Sequence, residues 1–89
     1  MQIEFDPAKN AANIAKHGLT LADFDGFDAE AIVIEDTRFD YGEVRFIALG
    51  RIDGVAHAVV YTVVNRGRGD TMRVIGFRRA HEKELRRHE

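Results

Sequence analysis

The sequence predicts a single α+β domain with the element order β-α-α-β-β-β-β-α, in which a twisted, mainly antiparallel sheet carries its helices on one side. The chain has 89 residues, enough for one core and too few for two, so residues 1–89 are expected to form one domain. Hydrophobic residues make up 45% and charged residues 31%, the balance of a folded domain. Apolar residues follow helical spacing near the start of the chain and form strand-like runs afterwards.

The chain begins with a predicted strand at residues 3–5 and a helix that ends at about His17. Asp6 can cap this helix and Pro7 suits its first position. Gly18 is placed to adopt the left-handed conformation that closes a helix. Small apolar residues recur at three-to-four-residue spacing and predict a narrow stripe that faces the core. They are Ala8, Ala11, Ala12 and Ala15, with Ile14 nearby.

A second, short helix is predicted at "TLADF", residues 20–24. Thr20 followed by Asp23 resembles a capping box, with Asp in place of the usual Glu. Leu21, Phe24 and Phe27 are expected to supply the apolar contacts of this helix.

The remainder of the chain predicts four strands and a terminal helix. The strand candidates are residues 31–36, 43–52, 55–64 and 71–77. Asp53 and Gly54 lie between two apolar runs and form the best hairpin signal in the chain. The last helix, from about residue 79 to residue 88, has little apolar content and is expected to lie on the surface.

Composition and charge narrow the possible functions. Cys is absent, which excludes disulfides and thiolate metal sites, and serine is absent, which excludes serine hydrolase chemistry. The start "MQIEFD" lacks the features of a signal peptide, and the apolar run at residues 55–64 is too short to span a bilayer, so we expect a cytoplasmic protein and no membrane partner. The net charge is -2, but residues 66–89 carry +4 and residues 1–65 carry -6. This asymmetry indicates either a basic face that attracts phosphate or a solvated, salt-bridged terminal helix.

Four histidines raise the question of a metal site. Their positions lack the tight paired spacing of a zinc-binding helix, and His81 and His88, seven residues apart, would need ligands from elsewhere. The sequence therefore predicts no metal site and no cofactor.

An arginine-rich set lies on the predicted strands, in the turn before the last strand and where that strand gives way to the terminal helix. The set comprises Arg45, Arg66, Arg68, Arg73, Arg78 and Arg79. Ideal strand alternation puts Arg73 and Arg79 on one face and Arg78 on the other. A guanidinium group suits phosphate because its planar fork donates two hydrogen bonds and keeps its charge at neutral pH. The alternative is structural, with Glu43 or Glu35 pairing with these arginines across the sheet.

Lys16 and His17 stand side by side at the predicted end of the first helix. A cation there can simply complement the helix dipole. Alternatively, the pair belongs to an active site, because His17 can exchange a proton near neutral pH while Lys16 holds a phosphate or favours the neutral imidazole.

Several blocks of the chain, in order, resemble the BrnT family of toxins. They are "FDPAKNAANIAKHGLTLADF" at 5–24, "DYGEVRFIALGRIDG" at 40–54, "VVYT" at 59–62 and "MRVIGFRRAHEKELRRHE" at 72–89. The resemblance implies a RelE-like fold and a ribonuclease toxin of a type II toxin–antitoxin system. It also implies an RNA substrate and a cognate, BrnA-like antitoxin that binds DNA and represses the operon.

Metal-independent RNA cleavage needs a base, a proton donor and cations around the phosphate. The residues expected to serve catalysis are Lys16, His17, Glu43, Arg45, Arg73 and Arg78, and those expected to bind RNA are Arg66, Arg79 and His88. Of these, the resemblance supports Arg45, Arg73 and Arg78 by position.

The chain departs from the family pattern in "TVVNRGRG" before the last strand, in "RVIGFR", and in His88 where a tyrosine is frequent. These departures leave a second hypothesis open, a non-catalytic RNA- or protein-binding module descended from a toxin.

Overall fold

The computed structural model describes residues 2–67 and 69–89 of the chain. Within them, two α-helices and five strands follow the order β-α-β-β-β-β-α. The elements are β1 (Gln2–Phe5), α1 (Pro7–His17), β2 (Ile32–Asp36), β3 (Arg45–Ile52), β4 (Val55–Asn65), β5 (Asp70–Arg79) and α2 (Glu82–Arg87). The predicted α+β class is confirmed, and α2 is shorter than predicted because Arg79 belongs to β5.

The five strands form one open sheet in the order β1-β5-β4-β3-β2. β1 runs parallel to β5, with Gln2 opposite Thr71 and Phe5 opposite Val74, and the other three pairs are antiparallel. The sheet is therefore mixed and mostly antiparallel. The hairpin predicted at Asp53 joins β3 to β4, and its turn residues have positive φ, as this tight turn requires.

The predicted second helix is wrong, because the segment forms only a three-residue 3₁₀ turn at Leu21–Asp23. Thr20 does cap it by accepting a hydrogen bond from the backbone N–H of Ala22 at 3.3 Å. The backbone is already extended at Phe24, whose ring packs edge-on against Phe27 with centroids 5.2 Å apart. Burying the two rings on the sheet therefore takes the place of a second helical turn.

α1 begins and ends as predicted, but the alanine stripe does not face the core. Asp6 caps its start, and Gly18, at φ 73°, closes its end. Ile14 is 46% exposed, and the residue that α1 buries is Asn13. The Asn13 amide nitrogen donates to the carbonyl oxygens of Leu19 and Phe77, both at 2.8 Å, and its oxygen accepts from the Phe77 N–H at 3.0 Å. α1 thus packs beside β5 through a polar contact, beyond the point where β1 stops pairing.

Two apolar clusters cover opposite faces of the sheet. On one face, Leu21 packs with Ala48 and neighbouring residues. On the other, Leu85 of α2 packs with Leu49 and Ala58. Since adjacent residues of a strand point to opposite faces, Ala48 and Leu49 define the two sides. The segment predicted as a second helix thus packs on the face opposite α2, so the expectation that all the predicted helices lie on one side does not hold for this segment.

Candidate functional site

A β-bulge in β5 decides which arginines face the same way. β4 and β5 pair Tyr61 with Val74 and Val60 with Gly76, so Ile75 is an extra residue. The bulge reverses the alternation that an ideal strand would keep. Arg73 and Arg78 consequently lie on one face, opposite Thr62 and Ala58, whereas Arg79 lies opposite His57 on the other. The predicted sharing of a face by Arg73 and Arg79 is wrong for this reason.

Two adjoining concavities lie on the face that carries Arg73 and Arg78. The larger, of about 350 Å³, lies between α1 and the sheet, and the smaller, of about 220 Å³, lies towards the start of β3. Lys9 and Ile75 line both. We call this surface the basic groove, and its basic residues are Lys9, Lys16, His17, Arg38, Arg45, Arg73 and Arg78. One continuous surface thus holds residues from α1, β3, β5 and the loop after β2.

Lys16 and His17 occupy the last turn of α1, where they also complement the helix dipole. Both line the larger concavity together with Arg78. Partial desolvation of the imidazole, followed by the positive charges of Lys16 and Arg78, lowers the pKa of His17 below its usual value of 6.5. The neutral form, which can accept a proton, is therefore favoured at neutral pH.

Arg45 stands at the first position of β3, with 22% of its side chain exposed. Its Nε donates to a Glu43 carboxylate oxygen at 2.9 Å. Its guanidinium carbon lies 4.1 Å from the centre of the Tyr41 ring, a cation–π contact. The Glu43 pair predicted as a structural alternative therefore exists, but it is formed two residues away along the chain and not across the sheet.

Carboxylates also accompany the other two arginines. Arg73 Nη2 lies 3.7 Å from an Asp6 carboxylate oxygen. Arg78 makes a two-pronged contact with Glu84 of α2, with both N–O distances at 3.0 Å. These hydrogen bonds lower the pKa of Glu84. The three arginines predicted to bind phosphate thus share a face, and each has a carboxylate beside it.

The predicted RNA-binding residues lie outside the basic groove. Arg66 donates to both carboxylate oxygens of Glu4, at 2.9 and 2.7 Å, and Glu4 in turn lies opposite Arg73 in the sheet, so Arg66 adjoins the groove at its edge. Arg79 is exposed on the other face. His88 lines a separate concavity with Arg51. Arg68 falls outside the described residues.

Sequence reasoning missed Lys9 and Arg38. Lys9, Asn13 and Lys16 are spaced four and three residues apart, which places them on one face of α1, and this spacing was the available signal. No periodicity predicts Arg38, because it lies in a loop. Its guanidinium donates to both oxygens of Asp36, each at 2.9 Å. Only 1% of the Asp36 side chain is exposed, and the Arg38 hydrogen bonds hold the pKa of this carboxyl far below its usual range.

Among residues 2–67 and 69–89, no helix is both long and apolar enough to cross a membrane. In the same part of the chain, no three His, Cys, Asp or Glu side chains are grouped so that they could hold a metal ion.

A family model described as "Ribonuclease toxin, BrnT, of type II toxin-antitoxin system" matches residues 5–84 of the chain. No curated protein matches the chain itself. The matched segment contains every basic residue of the groove, whereas His88 lies beyond it.

Proposed function

This chain belongs to the BrnT family of ribonuclease toxins of type II toxin–antitoxin systems, and we propose that it cleaves RNA in the basic groove, without a metal ion, by attack of the ribose 2′-hydroxyl on the adjacent phosphate. The observation that supports this site is the shared face of Arg73 and Arg78, in a concave surface that also contains His17. The requirement for a 2′-hydroxyl makes the substrate RNA and not DNA.

In the proposed mechanism, His17 is the general base. Its lowered pKa keeps the imidazole neutral near pH 7, so it can take the 2′-hydroxyl proton as the oxygen–phosphorus bond forms. The bond from phosphorus to the 5′-oxygen then breaks, and the neighbouring Lys16 ammonium donates a proton to the leaving oxygen. The products are a 2′,3′-cyclic phosphate and a 5′-hydroxyl, and the proton that His17 gained balances the one that Lys16 gave.

Arg45, Arg73 and Arg78 bind the non-bridging phosphate oxygens and stabilise the charge that develops on them. Each guanidinium first has to exchange a carboxylate for phosphate. Arg73 does this most easily, because its contact with Asp6 is 3.7 Å long. Arg78 has to release Glu84, which holds it with two short hydrogen bonds. Glu43 orients Arg45 through Nε, so that the two Nη groups can meet the substrate.

Arg66 is proposed to contact the RNA backbone at the edge of the groove, where Glu4 links it to Arg73. Arg79 lies on the other face of the sheet and would reach only nucleotides that wrap around it, whereas His88, in its separate concavity, would contact only RNA that extends beyond the groove.

A type II toxin implies a cognate antitoxin. We propose that this partner is a BrnA-like DNA-binding protein and that the pair acts in the cytoplasm. A short neighbouring reading frame whose product copurifies with this chain would identify it.

The proposed function is tested by incubating the purified chain, free of antitoxin, with labelled single-stranded RNA in the presence of a chelator. We expect cleavage products that end in a cyclic phosphate, and no cleavage of the 2′-deoxy analogue. Binding should also weaken steeply with added salt, because each phosphate contact releases counterions. Cleavage that requires a divalent metal, or equal cleavage of the DNA analogue, would contradict the mechanism.

A non-catalytic binding module is the second candidate. The pairing of Arg78 with Glu84 favours it, because an arginine occupied by a carboxylate is less available to stabilise the charge on a reacting phosphate. The same assay separates the two candidates. A binding module would shift the labelled RNA without producing fragments.

A further inference from the structure

The loop between β2 and β3, residues 37–44, carries the most exposed large apolar side chain recorded among the described residues. Phe39 is 69% exposed. Water in contact with an aromatic ring costs free energy, and an exposed ring gains stability only when a partner covers it. We call residues 37–44 the aromatic loop. Both of its ends lead into the basic groove, because Arg38 lines the larger concavity and Arg45 the smaller one.

The aromatic loop is built on the buried carboxylate of Asp36. Asp36 accepts hydrogen bonds from the backbone N–H of Arg38 at 3.2 Å, from the Arg38 guanidinium at 2.9 Å and from the Tyr41 hydroxyl at 3.0 Å. Further along, Asp40 accepts a hydrogen bond from the Gly42 N–H at 3.0 Å, at a turn where Gly42 has a φ of 71°. These bonds fix the loop before any ligand arrives, so the entropy cost of presenting Phe39 is already met in the free protein.

Two successive contacts connect Phe39 to a proposed phosphate-binding group. The Phe39 and Tyr41 rings meet edge-on with centroids 5.8 Å apart. Tyr41 in turn lies under the guanidinium of Arg45. An edge-on contact occupies at most one face of the Phe39 ring, so at least one face stays open to a flat partner.

We propose that Phe39 is a stacking platform for an unpaired nucleobase of the RNA whose phosphate lies against Arg45. The inference rests on the proposed function and adds a substrate class, namely single-stranded RNA with its bases turned outward. The surface supplies the two elements that single-strand recognition combines, a positively charged groove that follows the backbone and an aromatic side chain on which a base stacks. In a duplex the bases are already stacked on one another, so paired RNA would not offer Phe39 a base.

The experiment uses fluorescence, because the chain contains no Trp and Phe39→Trp introduces a single reporter. The probe is a short single-stranded RNA with 2′-O-methyl groups throughout, which cannot be cleaved by 2′-hydroxyl attack. We expect the indole fluorescence of this variant to be quenched on binding, and not to be quenched by an oligonucleotide of the same length and charge whose bases have been removed. Val55→Trp is the matched control, because Val55 is 48% exposed at the opposite end of β3 and β4 and an indole there should not be quenched.

Substitutions of Phe39 without a fluorescent reporter test whether RNA binding needs the aromatic face of the ring or only an apolar surface. We expect Phe39→Leu and Phe39→Ala to weaken binding of the uncleavable RNA by about fivefold to a hundredfold, the range of a lost base stack. Phe39→Tyr should bind as the wild type does. All three should melt at the wild-type temperature, because the ring is mostly exposed in the folded protein.

Equal RNA affinity of Phe39→Leu and the wild type, with wild-type cleavage intact, would overturn the stacking role and leave the proposed function standing. If Phe39→Leu lost only antitoxin binding, the stacking role would likewise be overturned, since Phe39 would then contact a protein and not a base. A wild-type chain that neither binds nor cleaves RNA would overturn both proposals.

Discussion

The basic groove and the opposite end of the sheet around Arg51 use the same kind of ion pair to different effect. Arg51 of β3 bonds two carboxylates, Glu82 at 2.8 Å and Glu89 at 3.3 Å. These pairs connect α2 and Glu89 to the sheet, and the two carboxylates outnumber the single guanidinium. In the groove, lysines and arginines outnumber the carboxylates that accompany them. The lysines and arginines are Lys9, Lys16, Arg38, Arg45, Arg73 and Arg78, and the carboxylates are Asp6, Asp36, Glu43 and Glu84.

This difference shows that the presence of an ion pair does not identify a structural arginine. What separates the two regions is the charge that remains after pairing and the shape of the surface that holds it. An excess of positive charge in a concave surface attracts an anion, whereas an arginine between two carboxylates has no charge left to offer. Changing one member of an ion pair in each region tests this difference.

The largest effect is expected from Arg78→Ala. If Arg78 stabilises the charge developing on the phosphate, its removal should lower the rate of RNA cleavage by about 10²- to 10³-fold, the cost of losing one donor to a transition-state oxyanion. Arg51→Ala is the matched change at the other end of the sheet and should leave cleavage within about threefold of wild type. Rates are compared per folded molecule, with the folded fraction measured by circular dichroism.

Equal losses of cleavage rate in Arg78→Ala and Arg51→Ala would contradict a specific role for Arg78. The basic groove would then not be identified as the site of cleavage. Arg78→Lys separates the contribution of charge from that of geometry, since an ammonium group keeps the positive charge without the two-pronged hydrogen bonding.

The next effect concerns how each region is held in place. Asn13 satisfies both backbone groups of Phe77 as well as the Leu19 carbonyl, so Asn13→Ala should destabilise the protein by about 2–4 kcal/mol, because buried polar groups lose their partners. At the other end, Asp28 bonds the N–H groups of Asp53 and Gly54 from an exposed position. Asp28→Ala should have the smaller effect, because water can replace the carboxylate. Urea denaturation of the two variants measures the difference, and a larger loss in Asp28→Ala would contradict this account.

Local features of the fold could be predicted from the sequence, whereas features that depend on contacts between distant segments could not. Local signals such as Asp6, Pro7 and Gly18 predicted the bounds of α1, because capping depends on neighbouring residues. The bulge at Ile75 could not be predicted, since it arises from pairing between two strands, and it alone places Arg78 on the same face of the sheet as Arg73. The burial of Asn13 in preference to the alanines was missed for a related reason. An amide is favoured there only because unpaired backbone groups of β5 face it, and a single sequence does not show them.

A third, smaller effect is a shift in the pH dependence of cleavage. As a base, His17 works when neutral, so the rate should fall as the pH drops through its pKa. Lys16 and Arg78 contribute to lowering that pKa, so Lys16→Ala should raise it and move the acidic limb to higher pH, in addition to slowing cleavage by removing the proposed proton donor. Lys83→Ala, which removes a lysine from α2, should leave the acidic limb of the rate profile in place.

The stability of the fold should depend on pH in the same range. Because the pKa of His17 is lower in the folded protein, its contribution to stability is present above about pH 6.5 and is lost as the pH falls.

An NMR titration of the His17 ring protons, assigned by their disappearance in His17→Gln, measures the pKa directly. A limb that persists unchanged in His17→Gln would show that another group is the base, and the helix-dipole account of Lys16 and His17 would then be sufficient.

The smallest effect distinguishes the two carboxylates that α2 directs at the sheet. Glu84 occupies the two donors that Arg78 would offer to a phosphate, so Glu84→Gln should release that arginine and strengthen binding of uncleavable RNA by up to about fivefold, the upper range for a partly exposed ion pair. Glu82→Gln makes the same chemical change beside Arg51 and should not alter RNA affinity. Both variants remove one negative charge from the same short helix, so a general electrostatic gain would appear equally in the two. A gain confined to Glu84→Gln would instead mean that the carboxylate competes with the phosphate for one guanidinium, and that the groove is held partly closed by its own ion pair until RNA replaces it.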